Sequence, residues 1–129
     1  MIMDNFQNQL YSKNNIILNK SFDFSLKIIK IYQQLTTHNE YIISKQLLKS
    51  ATSIWANIME SKYGASKKDF LNKIYISLKE ANETLYWIEL LKQSWIANYI
   101  EYDEIIKDIN EILAILNKIT ITTKKNLKN

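Results

Sequence analysis

The chain has 129 residues, no cysteine, no proline and one glycine, Gly64. This excludes disulfides, thiolate chemistry and Cys-based zinc sites, and it removes the punctuation that β proteins need. The formal charge is +4, carried by lysine without arginine. The excess sits in the flanks, at Lys13, Lys20, Lys118, Lys124, Lys125 and Lys128 against Asp4, so the body between them is close to neutral.

The length fits one domain with a single core. No window of roughly eighteen apolar residues escapes charge, so no membrane span is expected. The first residues, MIMDNFQNQLYSKNN, lack the basic and then apolar pattern of a secretory signal. A cytoplasmic location is the expectation.

In chain order, residues 1–20 read as a flexible or loosely docked segment, with Ile16, Ile17 and Leu18 as an anchor. The four-helix domain then covers 21–121. The first helix runs from about Ser21 to Leu35, with Ser21 as N-cap and a narrow polar stripe of Asp23, Lys27, Lys30 and Gln34. Thr36 to Asn39 form a polar turn. The second helix runs from about Glu40 to Tyr63, with Ile43, Leu47, Ser50, Ile54 and Ile58 on one face.

Gly64 is expected at the C′ position in the left-handed conformation. Ser66 and Asp69 then resemble a capping box. The third helix follows to about Ala97. Its residues Leu71, Ile74, Leu78, Ala81, Leu85 and Ile88 alternate in steps of three and four, the seam of near-parallel helices. Asn98 is the expected left-handed cap. The fourth helix runs from about Glu101 to Thr120 on Tyr102, Ile105, Ile109, Ile112, Leu116 and Ile119. Residues 122–129 form a lysine-rich tail. Four helices with short turns predict an all-α, antiparallel up-down-up-down four-helix bundle.

One bundle needs one apolar stripe per helix. The third helix has more, because Tyr75, Ile76, Tyr86, Trp87 and Leu90 fall on its flanks or outside, and Trp55 lies off the main face of the second. A wide core with scattered exposed aromatics accounts for this. So does a subunit interface, which consecutive turns of one helix favour.

Catalytic chemistry finds little material. The one histidine, His38, sits in a turn, so neither a Glu-x-x-His metal site nor a Ser–His pair is expected. Glu80 and Glu83, with Glu60, read as carboxylates paired with lysines, and no cofactor or metal is implied. No glycine-rich loop can cradle phosphate. Asn57, with Ser53 and Glu60 on the same arc, reads as a structural polar group that fixes helix register. Lys62, Lys67, Lys68 and Lys73 cluster near the turn at Gly64. With Lys124 and Lys125 they are the candidate contacts to RNA or DNA phosphates, which need only charge.

Several ordered segments carry a resemblance. They are Ser21-Phe22-Asp23-Phe24, Ser44-Lys45-Gln46-Leu47-Leu48, Thr52-Ser53-Ile54, Ala56-Asn57-Ile58 with Glu60, Ser66-Lys67-Lys68-Asp69-Phe70, Leu78-Lys79-Glu80-Ala81-Asn82-Glu83-Thr84 and Tyr86-Trp87-Ile88-Glu89-Leu90-Leu91. Over about residues 21–117 the chain resembles the bacterial 23S rRNA intervening-sequence proteins. It departs from them at Trp55, where that family commonly has Gly or Pro, and at Ser61, where it has Ala or Gly. The resemblance implies an up-down bundle, often a homopentamer, without established enzymatic activity. A related branch serves retroelements as a basic pentamer that binds nucleic acid and a reverse transcriptase. The near-neutral body fits that branch poorly.

Two functions follow as expectations. The first is a non-catalytic, self-assembling interaction or scaffold protein. The second is a nucleic-acid-binding accessory protein that uses lysines at one end of a ring-shaped oligomer.

Overall fold

The computed structural model describes residues 15–128. It consists of α1 (Ile16–Thr37), α2 (Ile43–Ser61), α3 (Lys67–Ser94) and α4 (Tyr102–Lys128), with no strand among the described residues. Each helix packs against two others: α1 against α2 and α4, and α3 against the same two. The core between them holds Phe24, Ile28 and Leu35 of α1, and Leu47, Ala51 and Ile54 of α2. Ile74, Ala81, Ile88 and Leu91 of α3 and Ile109, Ile112 and Leu116 of α4 complete it. Full burial of each such aliphatic or aromatic side chain contributes about 1.5–3 kcal/mol.

Cross-helix contacts fix the registers. Lys73 of α3 meets Glu60 of α2, Ser77 meets Ile54, and Thr84 meets Ser50, so residue numbers fall along α2 as they rise along α3. Lys20 and Lys27 of α1 meet Glu111 and Glu104 of α4 in the same descending order.

The helix ends correct several expectations. Residues 1–14 of the expected flexible segment lie outside the described residues. In the next six, Ile17 and Leu18 are buried, as expected of an anchor, while Ile16 is exposed and the anchor is the first turn of α1, which starts at Ile16. Ser21 therefore caps nothing. It is buried in the second turn, and its hydroxyl donates to the Leu18 carbonyl, because the apolar phase of Phe24 and Ile28 continues back to Ile17. The lysine-rich segment is no separate tail either, because α4 runs on to Lys128. Thr120 is buried there, and the Lys124 ammonium lies 5.2 Å from the centre of the Tyr75 ring.

Two turns differ in detail. Gly64 has no positive φ. The chain leaves α2 by tight i→i+3 bonds, Tyr63 N–H to the Glu60 carbonyl and Gly64 N–H to that of Ser61. A Cβ there would meet Asp69 Cβ and Phe70 N at 3.1 Å, so the first turn of α3 would have to give by a few tenths of an ångström to admit it. At the end of α3 the left-handed residue is Trp95, at φ 63°, and not Asn98. The α1–α2 turn follows expectation more closely. Asn39 takes φ 68°, and the Glu40 N–H reaches back to the Leu35 carbonyl, as in a Schellman motif.

Candidate interaction surfaces

The α2–α3 contact carries short polar side chains in its middle. Ser50, Ser77 and Thr84 are buried beside Ala51 and Ala81. The Ser77 hydroxyl donates to the Ile54 carbonyl at 3.0 Å, and Thr84 Oγ1 lies 2.8 Å from Ser50 Oγ. These small groups let the helices approach closely, and a hydrogen bond across a buried contact penalises a slipped register. That role had been expected of Asn57. Asn57 is only half-buried, and its amide donates to the Ser53 carbonyl of its own helix. Position 57 lies around α2 between Ser50 and Glu60, both of which meet α3, but its amide is held by its own helix and makes no bond across the contact. Ser53 likewise bonds within α2, to the Lys49 carbonyl, and Glu60 is exposed and paired with Lys73. On α3, Leu78 and Leu85 of the expected seam are half-buried against the core, while Ser77 and Thr84 take the central positions.

At the α2–α3 turn, Ser66 Oγ accepts the Asp69 N–H at 3.1 Å, as the capping pattern requires. The six candidate lysines divide. Lys62 donates to Asn15 Oδ1, Lys73 is 2.7 Å from Glu60, and Lys124 lies over Tyr75. Lys67, Lys68 and Lys125 are exposed and form no ion pair among the described residues. The adjoining hollow is lined by Glu60, Asp69 and Lys73 with Tyr63, Gly64, Ala65 and Asn72, so carboxylates moderate the positive potential.

The candidate subunit contacts also divide. Ile76, Tyr86 and Leu90 are exposed along the outer face of α3. Trp87 is packed against the core with its ring 4.9 Å from that of Tyr86, edge to face. Tyr75 is half-buried under Lys124. Trp55 packs against the core and meets Phe22 edge to face at 6.1 Å, so it belongs chiefly to the α1–α2 contact.

Sequence reasoning missed two exposed apolar sets. Leu26 and Ile29 of α1 face outward, outside the narrow polar stripe that the spacing picked out. The bundle end opposite Gly64 shows Tyr41, Ile42, Trp95, Ile96 and Tyr99, with His38 stacked on Tyr99 at 4.1 Å. Of these exposed apolar residues only Tyr99 fell between predicted helices; Tyr41, Ile42, Trp95 and Ile96 stood inside their expected ends, where the helices in fact stop short.

The electrostatics are structural in character. Burial opposes ionisation of Glu40, yet the N–H groups of Ile43, Ser44 and Ile42 hold its carboxyl below the ordinary value. It therefore caps α2 by side chain, at 2.9 Å from Ile43 N and 2.7 Å from Ser44 N. Lys27 bridges Asp108 at 2.7 Å and Glu104 at 2.8 Å, which raises its own pKa and lowers that of Glu104. The Lys20 hydrogen bond lowers that of Glu111 in the same way. Burial, and then Glu83, push Glu80 up. Burial, with Tyr99 beside it, pushes the Tyr102 hydroxyl to about 12, and that hydroxyl donates to the Ala97 carbonyl at 2.9 Å. Among the described residues no three His, Asp or Glu groups converge to hold a metal ion, and no helix is long and apolar enough to cross a membrane.

Comparison with known proteins identifies a family and a solved structure of unknown function. The sequence model of the family described as 23S rRNA-intervening sequence protein matches residues 13–118. A solved structure from Bacteroides thetaiotaomicron VPI-5482, a protein of unknown function from the S23 ribosomal protein family, is 42% identical with a TM-score of 0.77. The match covers 81% of this chain and 98% of that one. No curated protein matches.

Proposed function

The chain belongs to the 23S rRNA-intervening sequence protein family, and from that premise we propose that it is a non-catalytic scaffold of the bacterial cytoplasm that assembles with copies of itself. Its helices run up-down-up-down, each antiparallel to its neighbours, as the descending pairs Glu60–Lys73, Ile54–Ser77 and Ser50–Thr84 support. The observation that carries the reading is the outer face of α3, where Ile76, Tyr86 and Leu90 leave apolar surface in water. A ring joins two different surfaces of each copy. The α3 face supplies one, and Leu26 with Ile29 on α1 supplies another. The family resemblance supports five copies in the ring.

Light scattering at micromolar concentration tests this directly, with a mass near five times 15.3 kDa expected. Leu90→Glu should reduce that mass while far-UV circular dichroism keeps the helical signal. A monomeric native chain, or an unchanged mass after both Leu90→Glu and Ile76→Glu, overturns the assembly.

A second reading has its own observation. Lys67, Lys68 and Lys125 are exposed and free of ion pairs among the described residues, and a ring would bring copies of them together. Contact with RNA or DNA would then run through phosphates, insensitive to sequence and weakened by salt. The Lys67→Glu, Lys68→Glu double variant should abolish such binding without changing the mass. Tight, sequence-specific binding that survives it would place recognition elsewhere.

A further inference from the structure

The end of the bundle opposite Gly64 is built inside out. The α1–α2 turn carries Tyr41 and Ile42, and the end of α3 with the turn to α4 carries Trp95, Ile96 and Tyr99, all exposed. In that second turn the small residue is the one that faces the core. Ala97 and Ile100 are buried, while Trp95 and Ile96 stand in water. The pose is held firmly. The buried Tyr102 hydroxyl donates to the Ala97 carbonyl at 2.9 Å. His38 stacks on Tyr99 at 4.1 Å, which ties the two turns into one surface. Trp95 keeps its left-handed backbone at φ 63° although its ring finds little packing. A strained pose without return inside the fold points to a contact outside it.

Shape and charge select the occupant. Ile42 is 79% exposed and Trp95 75%, so these side chains project from the tip instead of lining a groove. Two such tips cannot enclose one another at the packing density of a protein contact. A soft surface can close around a projecting side chain. The flanking charges cancel: Lys30, Lys45 and Lys92 stand against Glu40, Glu101 and Asp103, and Lys92 meets Asp103 at 3.3 Å. A nucleic acid calls for an excess of positive charge. This chain keeps that at its other end, in the exposed Lys67, Lys68 and Lys125. What the tip offers is aromatic, apolar and without net charge. That is the chemistry of the boundary between lipid headgroups and acyl chains, where Trp and Tyr are enriched.

We propose that this tip seats on the surface of a lipid bilayer, with Ile42, Trp95 and Ile96 inserted among the headgroups. The chain stands on the membrane and does not span it, since no described helix is long and apolar enough to cross. The strength of the contact rests on the ring proposed above. Contacts through the sides of α1 and α3 leave the bundle ends free, and cyclic symmetry sets every copy's tip at one height. A flat surface can then engage all of them together, which tightens a weak single contact by about 10²- to 10⁴-fold. Because the contact is apolar, salt and lipid charge change it little.

Trp95 is the natural reporter, because Trp55 and Trp87 pack against the core. Phosphatidylcholine vesicles added to the full chain should shift its tryptophan emission to the blue, and lipids brominated in the acyl chain should quench it. Ile42→Asp and Ile96→Asp, both at exposed positions, should each weaken vesicle binding by about tenfold or more, since the loss is repeated in every copy. The helical signal and the mass in solution should stay as they were. Trp95→Asn should weaken co-sedimentation with vesicles in the same way, although it relieves the backbone. Leu90→Glu should keep the blue shift but demand far more lipid. A native chain that is monomeric would behave like that variant, so failure of the ring is read separately from failure of the tip. Unchanged emission with phosphatidylcholine vesicles overturns the proposal. Binding confined to phosphatidylglycerol vesicles, lost in salt and indifferent to Ile42→Asp, also overturns it and belongs to the lysine end. A mass that grows with concentration in the absence of lipid, and no longer does so after Ile42→Asp, overturns it too and gives the tip to other copies of the chain.

Discussion

Trp95 is the residue whose backbone the fold holds against its own preference. A large aromatic side chain at φ 63° is crowded by its following carbonyl, at a cost of about 1–2 kcal/mol. The ring is 75% exposed, so packing returns little. Asparagine tolerates this conformation, and Trp95→Asn is expected to raise stability by about 1 kcal/mol, read as a higher urea midpoint at unchanged slope. A lower midpoint would show that the indole makes a contact worth more than the strain. Gly64 presents the opposite case, an ordinary φ in a place without room. Gly64→Ala should cost about 1 kcal/mol or more, because its Cβ would press on Asp69 and on the backbone of α3. Gly64→Asn separates crowding from conformation. Crowding makes asparagine worse than alanine, whereas a left-handed glycine would make it better.

At the level of the helices, the ends matter as much as the faces. α2 has no capping side chain at its N-cap, Ile42, and Glu40 two residues earlier takes the task by reaching three N–H groups. Glu40→Ala should destabilise the protein by about 1 kcal/mol at neutral pH, in line with the loss of a cap. The sign with pH follows from its depressed pKa. The contribution is full above the unfolded value near 4.5 and disappears as pH falls through the lower folded value, so wild type and variant should converge in acid. The α2–α3 contact offers a second element-scale expectation. Thr84→Val removes the hydroxyl beside Ser50 and should cost about 1 kcal/mol, measured by thermal or urea unfolding. Seven-residue periodicity pointed to the right helices but to Leu78 and Leu85 as central. Periodicity records apolar side chains, and here small polar ones are fully buried and bonded in the middle of the contact.

For the molecule as a whole, the α1–α4 side is closed by ion pairs, Lys20–Glu111 and Lys27 with Glu104 and Asp108. These groups are largely exposed, and such pairs add little in salt. A salt titration at neutral pH should therefore leave the urea midpoint almost unmoved. Acid is different. Glu40, Glu104 and Glu111 all have lowered values, so stability should decline as pH drops below about 4.5, while Glu80, whose value is raised, works mildly in the other direction. If the α3 face is a subunit contact, the same unfolding midpoint should also rise with protein concentration, because the assembled state then competes by mass action.

The sequence by itself determined four helices, their order, the turn at Gly64–Ser66 and the family. Spacing of Ile, Leu and Phe in steps of three and four is a local property, and burial enforces it wherever the helix packs. The absence of arginine, cysteine and all but one histidine likewise limited the chemistry without any coordinates. Tertiary structure alone decided where each stripe was centred, which lysines were taken by Glu60, Tyr75 and Asn15, and how closely α3 crowds Gly64. It also decided that α1 and α4 extend past their predicted ends. Those features depend on what a neighbouring helix brings to the same level, and that distance across the bundle is not encoded in any window of the chain.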